Sequence, residues 1–293
     1  NINNFIIRIF KELLNRQIMK KILFPTDFSE TANNAFLYAL NLAENQNAEL
    51  YVLHAFQYPM VSGGIDAGIL QDVYNTIELN NFENLKDHIP FLRKMAEDNG
   101  FANVDLKFFV KEGMLSFVLP TFIEDEKVDF VVMGTTGNTG FDKVLFGSNT
   151  MNAIKHLKIP VLSVPNGYKF KGINNIGFTT IFQDKDRKAL DYLTEIAYRY
   201  KAKVHCLHVS KDGNYDIPTL NHWKEYYKDE PVDFSIYTAD ESVDAVLEFI
   251  KEEKIDLLTV VSRNKGFFEK LFSPSFTKKI LTQHNVPLFV FHE

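Results

Sequence analysis

A loop with three glycines and a serine has the residue types and spacing that bind phosphate groups. Gly134, Gly137 and Gly147, the last followed directly by Ser148, form the pattern G-x2-G-x9-G-[S/T]. Glycine lets the backbone adopt positive φ and brings amide N–H groups close to a ligand. Ser148 and Asn149 are predicted to cap a helix, whose amino-terminal dipole favours an anion. The stretch therefore predicts a cradle for phosphate oxygens.

This loop differs from two widespread nucleotide-binding motifs. It is not G-x4-G-K-[ST], because no lysine follows Gly147, and it is not G-x-G-x-x-G after a first strand. A tight connection without a ligand is the alternative interpretation of any single glycine here, because glycine is common in turns. Three glycines and a hydroxyl together favour a ligand site.

The elements around the loop predict its position in a fold. Apolar runs at 128–133 and 160–164 flank it and are typical of buried parallel strands. Upstream, strand-like runs alternate with segments of helical spacing. The predicted strands are 22–24, 50–56 and 104–110, and the predicted helices begin after the N-cap Ser29, near Ile69 and at Leu115. This alternation predicts an α/β fold with a parallel, doubly wound sheet and right-handed crossovers.

Three segments together resemble the ATP-binding branch of the universal stress protein family. They are the glycine loop with its flanking strands, 128–164, the start of the first strand unit, KKILFPTDFSE at 20–30, and NAELYVLHA at 47–55. The resemblance implies the strand order 3-2-1-4-5, in which strands one and four are neighbours. Ligands of such sheets bind where the strand order reverses, outside the carboxyl ends of the strands. Asp27 and the glycine loop are therefore expected to face one crevice.

The resemblance also implies a set of binding residues for ATP or AMP. Asp27 and Ala55 would lie beside the adenine and ribose, Met133 and Gly134 at the strand end, and Gly137 at the phosphates. The full cofactor-binding set is Pro25, Asp27, Ala55, Met133, Gly134, Thr136, Gly137, Gly147, Ser148 and Asn149. The residues alone support the glycines and Ser148, whereas an aspartate before a helix is also an ordinary turn residue. Mg²⁺ on Asp27, bridging phosphates, is left open.

An internal repeat divides the chain into two copies of one unit. Residues 30–55 match 184–209 at a fixed offset of 154, and the ends of the copies match at offsets of 126 and 127. We therefore predict two tandem, doubly wound, Rossmann-like domains with five-stranded parallel sheets, at 19–166 and 173–293. A polar, glycine-containing linker is predicted between them.

The copies differ at the residues that could bind phosphate. Asp27 becomes Ile181 at the offset of 154, and at 126 Gly134 becomes Val260, Gly137 becomes Arg263, and Gly147-Ser148 becomes Ser273-Pro274. Valine does not readily adopt the backbone conformations of glycine, and proline lacks an N–H donor. The second domain is therefore predicted to have a degenerate nucleotide loop.

Composition and charge exclude several classes of protein. The 293 residues are 45% hydrophobic and carry a net charge of −6, which argues against general nucleic-acid binding. The single cysteine, Cys206, leaves no intrachain disulfide and fits a reducing cytoplasm. No apolar run reaches the ~18 residues that span a bilayer, so no membrane partner is expected.

Residues 1–18 need a separate interpretation. Phe5, Ile9 and Leu13 fall on one helical face, with Arg8 and Lys11 elsewhere. A membrane-surface helix or a docking helix would have this pattern. We favour an N-terminal extension upstream of Met19-Lys20-Lys21, which has the pattern of the natural start of the first strand, and packing on the protein's own surface is the next alternative.

The sequence favours a regulatory binding protein over an enzyme. Hydrolysis needs a base, a water-positioning group or a set of metal ligands, and none is visibly tied to the loop. His54 and His208 lie at equivalent strand ends, which indicates a shared structural role. The prediction is a stress-response regulator that binds an adenine nucleotide in its first domain. A non-nucleotide-binding adaptor and a slow ATP hydrolase are the alternatives.

The resemblance also implies how the domains assemble. The last strands of the two copies, near 160–165 and 287–292, would pair and make the chain an intrachain pseudo-dimer. A further homodimer is left open, and the protein partner is unknown.

Overall fold

The computed structural model describes residues 20–58, 66–135, 147–262 and 286–292. In the first domain the elements are β1 (Lys21–Pro25), α1 (Glu30–Gln46), β2 (Glu49–Phe56), α2 (Ala67–Asp98), β3 (Leu106–Glu112), α3 (Leu115–Glu126), β4 (Phe130–Gly134), α4 (Ser148–His156) and β5 (Val161–Val164). In the second they are β6 (Asn175–Thr179), α5 (Asp184–Tyr200), β7 (Lys203–Ser210), α6 (Ile217–Tyr226), β8 (Val232–Thr238), α7 (Ser242–Glu252), β9 (Leu257–Ser262) and β10 (Leu288–His292). The alternation of strands and helices predicted from the sequence is confirmed.

All the described strands form one sheet, in the order β3-β2-β1-β4-β5-β10-β9-β6-β7-β8. Each domain contributes five parallel strands in the order 3-2-1-4-5, counted within that domain, as expected. The two halves join where β10 pairs antiparallel with β5, with Phe289 opposite Leu162. The last strands thus pair the domains, and the two five-stranded sheets become a single mixed sheet.

Continuous apolar runs explain why the strands are central. Ile22, Leu23 and Phe24 of β1 are fully buried, as expected for a parallel strand covered by helices on both faces. The following helix, α1, starts at the N-cap Ser29, whose Oγ accepts a hydrogen bond from the Ala32 amide at 3.1 Å. This cap fixes where the chain turns from β1 into α1.

The domains also contact each other through α1 and α5. The Tyr192 hydroxyl donates to Gln46 Oε1 at 3.1 Å, and Arg199 Nη1 donates to the Asn45 carbonyl at 3.0 Å. The connection between the domains, predicted to be polar, also packs. Within it the ring of Phe170 lies edge-on to Tyr38, with centroids 4.9 Å apart. The two domains therefore share a core as well as a sheet.

The largest difference between the domains is the connection between their second and third strands. It covers 49 residues in the first domain, 57–105, and 21 in the second, 211–231. The first contains the 32-residue helix α2 and the second the 10-residue helix α6. Only the first domain therefore has a long helix beside its β1–α1 turn.

The sequence also predicts an amino-terminal extension and no membrane-spanning segment. The predicted extension 1–18 lies outside the described residues. Among the helices of the described ranges, none combines the length and apolar character that crossing a bilayer requires.

Candidate functional site

The candidate site lies at the carboxyl ends of β1 and β4. These strands are hydrogen-bonded neighbours, with Ile22 paired to Phe130. Asp27, two residues beyond β1, and Gly134, the last residue of β4, are therefore at the same edge of the sheet. This edge is the point where the strand order reverses, so the fold places the predicted residues where sheets of this class bind ligands.

The turn between β1 and α1 presents Asp27 to solvent. The Asp27 side chain is exposed, and its Oδ1 accepts a hydrogen bond from the Ser29 amide at 3.1 Å. Beneath it Thr26 is buried and its amide donates to the Leu53 carbonyl at 2.9 Å. Asp27 thus has the turn-forming role that the sequence allowed, and it also lies at the carboxyl edge of the sheet.

The residue after Asp27 adopts an unusual backbone conformation. Phe28 has φ of 60°, in the left-handed region that a bulky residue rarely adopts. Its amide donates to Thr26 Oγ1 at 3.0 Å, and its ring contacts those of both His54 and His88. His54 in turn contacts the Thr26 carbonyl through Nδ1 at 3.0 Å. The structural interpretation of His54 fits these contacts.

Gly134 is required for a reason other than the predicted positive φ. A methyl group added at Gly134 would lie 3.0 Å from Thr31 Cγ2 and 3.1 Å from the Thr31 carbonyl oxygen, and its φ lies outside the left-handed region. The glycine therefore lets the start of α1 approach the end of β4. This contact holds the Asp27 turn against β4.

The start of α4 is tied to the same strand end. Thr150 Oγ1 donates to the Gly134 carbonyl at 2.8 Å, and the Gly147 amide donates to the Thr135 carbonyl at 2.6 Å. Thr150 has no distinctive sequence signal, because a threonine in a first helical turn is common. The two hydrogen bonds aim the amino terminus of α4 at the candidate site.

The prediction that Ser148 and Asn149 cap this helix is wrong in detail. The N-cap is Gly147, with φ of −60° and no side-chain cap, and Ser148 and Asn149 are the first two helical residues. Both are exposed. Amide groups in a first turn have no partner within the helix and carry the positive end of its dipole. The corrected boundary thus leaves the anion-binding capacity of this terminus intact.

The remaining predicted residues have different environments. Pro25 is buried at the end of β1, Ala55 is half-buried near the end of β2, and the Met133 side chain lies in the core with 4% of its surface exposed. Met133 therefore behaves as the core residue that its apolar run suggests. Thr136 and Gly137 lie outside the described residues.

The second domain repeats the turn without the aspartate. Phe182 also has φ of 60°, its amide donates to Thr180 Oγ1 at 2.9 Å, and His208 Nδ1 contacts the Thr180 carbonyl at 3.0 Å. Ile181 stands in the place of Asp27, with 46% of its surface exposed. The offset of 154 therefore aligns the two turns correctly.

A buried carboxylate completes the turn of the second domain, and the sequence analysis missed it. Asp186 is fully buried and accepts hydrogen bonds from Thr180 Oγ1 at 2.7 Å, the Ile181 amide at 3.1 Å and the Gln183 amide at 3.3 Å. Its counterpart in the first domain is Ala32. In the second domain the protein's own anion therefore occupies the donors of this turn.

The offset of 126 that pairs Gly134 with Val260 is wrong by one residue at this strand. Ile22 pairs with Phe130 in the first domain, and its counterpart Ile176 pairs with Leu257 in the second, which gives an offset of 127. The structural counterpart of Gly134 is thus Val261, which is 6% exposed. Valine still replaces glycine there. Arg263, Ser273 and Pro274 lie outside the described residues.

Other reactive groups do not form a second centre in the described ranges. Cys206 is buried, and burial raises the pKa of its thiol well above the usual value, which disfavours the reactive thiolate. No three histidine, cysteine, aspartate or glutamate side chains of the described residues are arranged to hold a metal ion.

Comparison with known proteins gives one consistent family. The family model described as the universal stress protein family matches residues 19–165 and 173–292. Universal stress protein MJ0531 of Methanocaldococcus jannaschii is 33% identical over 147 residues, covering 50% of this chain and 82% of the relative. Universal stress protein Slr1230 of Synechocystis is 23% identical over 294 residues, covering 93% of this chain and all of the relative.

A solved structure supports the fold over both domains. The crystal structure of a universal stress protein from Archaeoglobus fulgidus has a TM-score of 0.68 at 20% identity and covers 93% of this chain and 96% of that one. A universal stress protein solved in complex with cAMP is 21% identical, with a TM-score of 0.37, and covers 50% of this chain and 96% of that one.

Proposed function

The chain belongs to the universal stress protein family, matched by both of its domains, and on that premise we propose that its first domain binds ATP or a related adenine nucleotide. The nucleotide would make the chain a regulatory protein of the stress response. The family includes at least one protein solved with a nucleotide, cAMP. The ligand of this chain and its regulatory role are the proposal.

One observation carries the proposal. In the first domain the exposed carboxylate of Asp27 lies at the same sheet edge as the amino terminus of α4, where the strand order reverses between β1 and β4. In the second domain Ile181 replaces the carboxylate, and Asp186 occupies the donors of the turn. The comparison of the two turns favours a single nucleotide site, located in the first domain.

The proposed binding mode follows from the chemistry of the groups present. The Asp27 carboxylate would accept hydrogen bonds from the ribose hydroxyls or the adenine amino group, with Pro25 and Ala55 beside them. The first-turn amides of α4 and the Ser148 hydroxyl would donate to phosphate oxygens. Met133 would contribute its backbone at the strand end, and Thr136 and Gly137 would complete the loop.

Asp27 also fits the proposed Mg²⁺. This ion usually enters nucleotide sites through one or two carboxylates together with phosphate oxygens, and Asp27 is an exposed carboxylate at this edge. Bound there, the ion would neutralise phosphate charge.

The proposed output is a change in conformation rather than turnover. A nucleotide that binds one conformation more tightly shifts the population toward it, and so changes the binding of a partner. We propose a cytoplasmic location, which is supported by the single cysteine, since one cysteine can form no intrachain disulfide.

Calorimetric titration with ATP, AMP and GTP tests the proposal directly. The purified protein is first denatured and analysed by mass spectrometry for a nucleotide that co-purifies. We expect one adenine nucleotide per chain and loss of binding in Asp27→Ala. Ile181→Ala, at the equivalent position of the second domain, is the matched control and should bind like the wild type.

Other outcomes select the alternatives. If the protein neither binds nor co-purifies with a nucleotide, the proposal is overturned in favour of an adaptor. For the second domain alone, the hydrogen bonds of Asp186 to the turn already favour this role. Turnover that is lost in Asp27→Ala, after removal of contaminating ATPases, would favour a slow hydrolase.

A further inference from the structure

The turn that carries Asp27 is attached to α2 by a stack of three rings. The ring of Phe28 lies 4.1 Å from that of His88, nearly parallel at 19°, and 4.6 Å from that of His54, tilted at 31°. Asn81, seven residues before His88 and thus on the same face of α2, contacts His54 Nε2 through its Oδ1 at 3.2 Å. The helix α2 therefore contacts both Phe28 and His54.

The backbone of the turn depends on such support. Left-handed φ at a phenylalanine is sparsely populated and persists only when surrounding contacts enforce it. Here the enforcing contacts are the bond from the Phe28 amide to Thr26 Oγ1, at 3.0 Å, and the two flanking imidazole rings. Phe182 has the same φ of 60° in the second domain, so the strain belongs to the shared turn, and what differs between the domains is the set of rings that supports it.

The conformation of Phe28 decides where its neighbour points. Asp27 precedes it directly, and Asp27 Oδ1 accepts from the Ser29 amide just beyond it. A change of backbone angles at Phe28 would move the Ser29 amide and so break its hydrogen bond to the Asp27 carboxylate. The stack is thus coupled to the position of Asp27.

The second domain has a different arrangement at this place. Phe182 packs on His208 at 5.2 Å, and its other ring neighbours are Trp223 of the short helix α6, edge-on at 66° and 5.5 Å, and Phe234 of β8, tilted at 48° and 6.1 Å. Face-to-face stacking on a histidine of a long helix is specific to the first domain, the domain with the candidate site.

We infer that Phe28, His88 and Asn81 are positioning residues of the nucleotide site, through which α2 sets the affinity of the first domain for nucleotide. This inference rests on the proposed function. Coupling of two sites is reciprocal. A bound nucleotide therefore stabilises the contact of α2 with the turn, and a partner on α2 alters nucleotide affinity. The amino-terminal part of α2 exposes Ile69, Val73 and Leu79, which would move with the helix.

The test compares ATP affinity in variants of one position. His88→Ala should weaken ATP binding about fivefold, because it removes an aromatic pair. His88→Phe keeps the stack and should restore affinity to within about twofold of wild type. Leu79→Ala, on the same helix and 58% exposed, is the matched control and should bind like the wild type. Thermal unfolding of each variant reports whether it is folded.

The outcomes separate the two claims. If the wild type binds ATP and folded His88→Ala binds equally well, the inference is wrong and the proposed function stands. Equal weakening by His88→Ala and His88→Phe would also overturn it, because stacking would not be the cause. If the wild type does not bind, the proposed function fails and this inference with it. Should His88→Ala not fold, Asn81→Ala takes its place, with an expected loss of about threefold from the missing hydrogen bond to His54.

Discussion

The two domains share one turn and differ in what completes it. In both, a threonine accepts the amide of a left-handed phenylalanine and a histidine supports the threonine carbonyl. In the first domain the carboxylate of the turn, Asp27, is exposed at the sheet edge, whereas in the second the carboxylate, Asp186, is buried beneath the turn. The same turn therefore carries an exposed carboxylate at the sheet edge in one copy and a buried, hydrogen-bonded carboxylate in the other.

The buried carboxylate of the second domain is expected to stabilise its turn. Asp186 satisfies two backbone amides and a hydroxyl that the turn would otherwise offer to solvent or ligand. A turn with its donors internally paired has little left for an anion. The second domain thus keeps the fold of the first and differs from it in how the donors of this turn are paired.

The largest expected effect comes from removing the internal carboxylate. Asp186→Ala should lower the free energy of unfolding by about 3 kcal/mol, because buried donors lose a charged acceptor. Urea denaturation measures the change. Asp184→Ala, on an exposed residue of the same first turn, is the control and should cost about 0.5 kcal/mol. Equal losses in the two variants would show that the buried hydrogen bonds contribute little.

A smaller loss is expected when the first domain receives the residue of the second. Gly134→Val should destabilise the protein by about 2 kcal/mol, because the new side chain meets Thr31 at the start of α1. Equilibrium unfolding checks this value. In Gly134→Ala, the added mutation Thr31→Ser removes the contacting methyl group and should recover part of the loss. No recovery would mean that the backbone of α1, rather than this methyl, limits the space.

A loss of affinity with little loss of stability is expected at the start of α4. Ser148→Ala should weaken ATP binding about fivefold through a lost hydrogen bond, and Gly137→Val should weaken it further. Arg263→Ala, in the corresponding loop of the second domain, should leave the affinity unchanged. Calorimetry on the three variants decides the matter. A larger effect of the Arg263 change would reverse the assignment of the two copies.

The smallest effect is expected when the aspartate is restored to the second domain. Ile181→Asp should leave the stoichiometry at one nucleotide per chain, because Asp186 still occupies the turn and Val261 still replaces the glycine. Titration of this variant gives the stoichiometry. Two nucleotides per chain would show that the aspartate alone determines which copy binds.

Local patterns in the sequence were sufficient to predict the secondary-structure elements and the two-domain organisation of this protein. Apolar runs and helical spacing are local patterns, so they predicted the elements, and the repeat at an offset of 154 predicted two copies. The strand order and the pairing of the last strands came from the family resemblance, and both are confirmed. The choice of Asp27 and Ile181 as corresponding residues also came from the sequence, because no insertion separates the two turns from the repeat.

The contacts that build the site could be identified from the tertiary structure alone. The correspondence of Gly134 with Val261 follows from the strand register. A sequence alignment that is shifted by one residue assigns the wrong counterpart. The contact of Phe28 with His88 joins residues sixty positions apart, and the close approach of Gly134 to Thr31 joins residues more than one hundred apart. Such contacts depend on how helices pack against the sheet, and no local pattern of residue types encodes that packing.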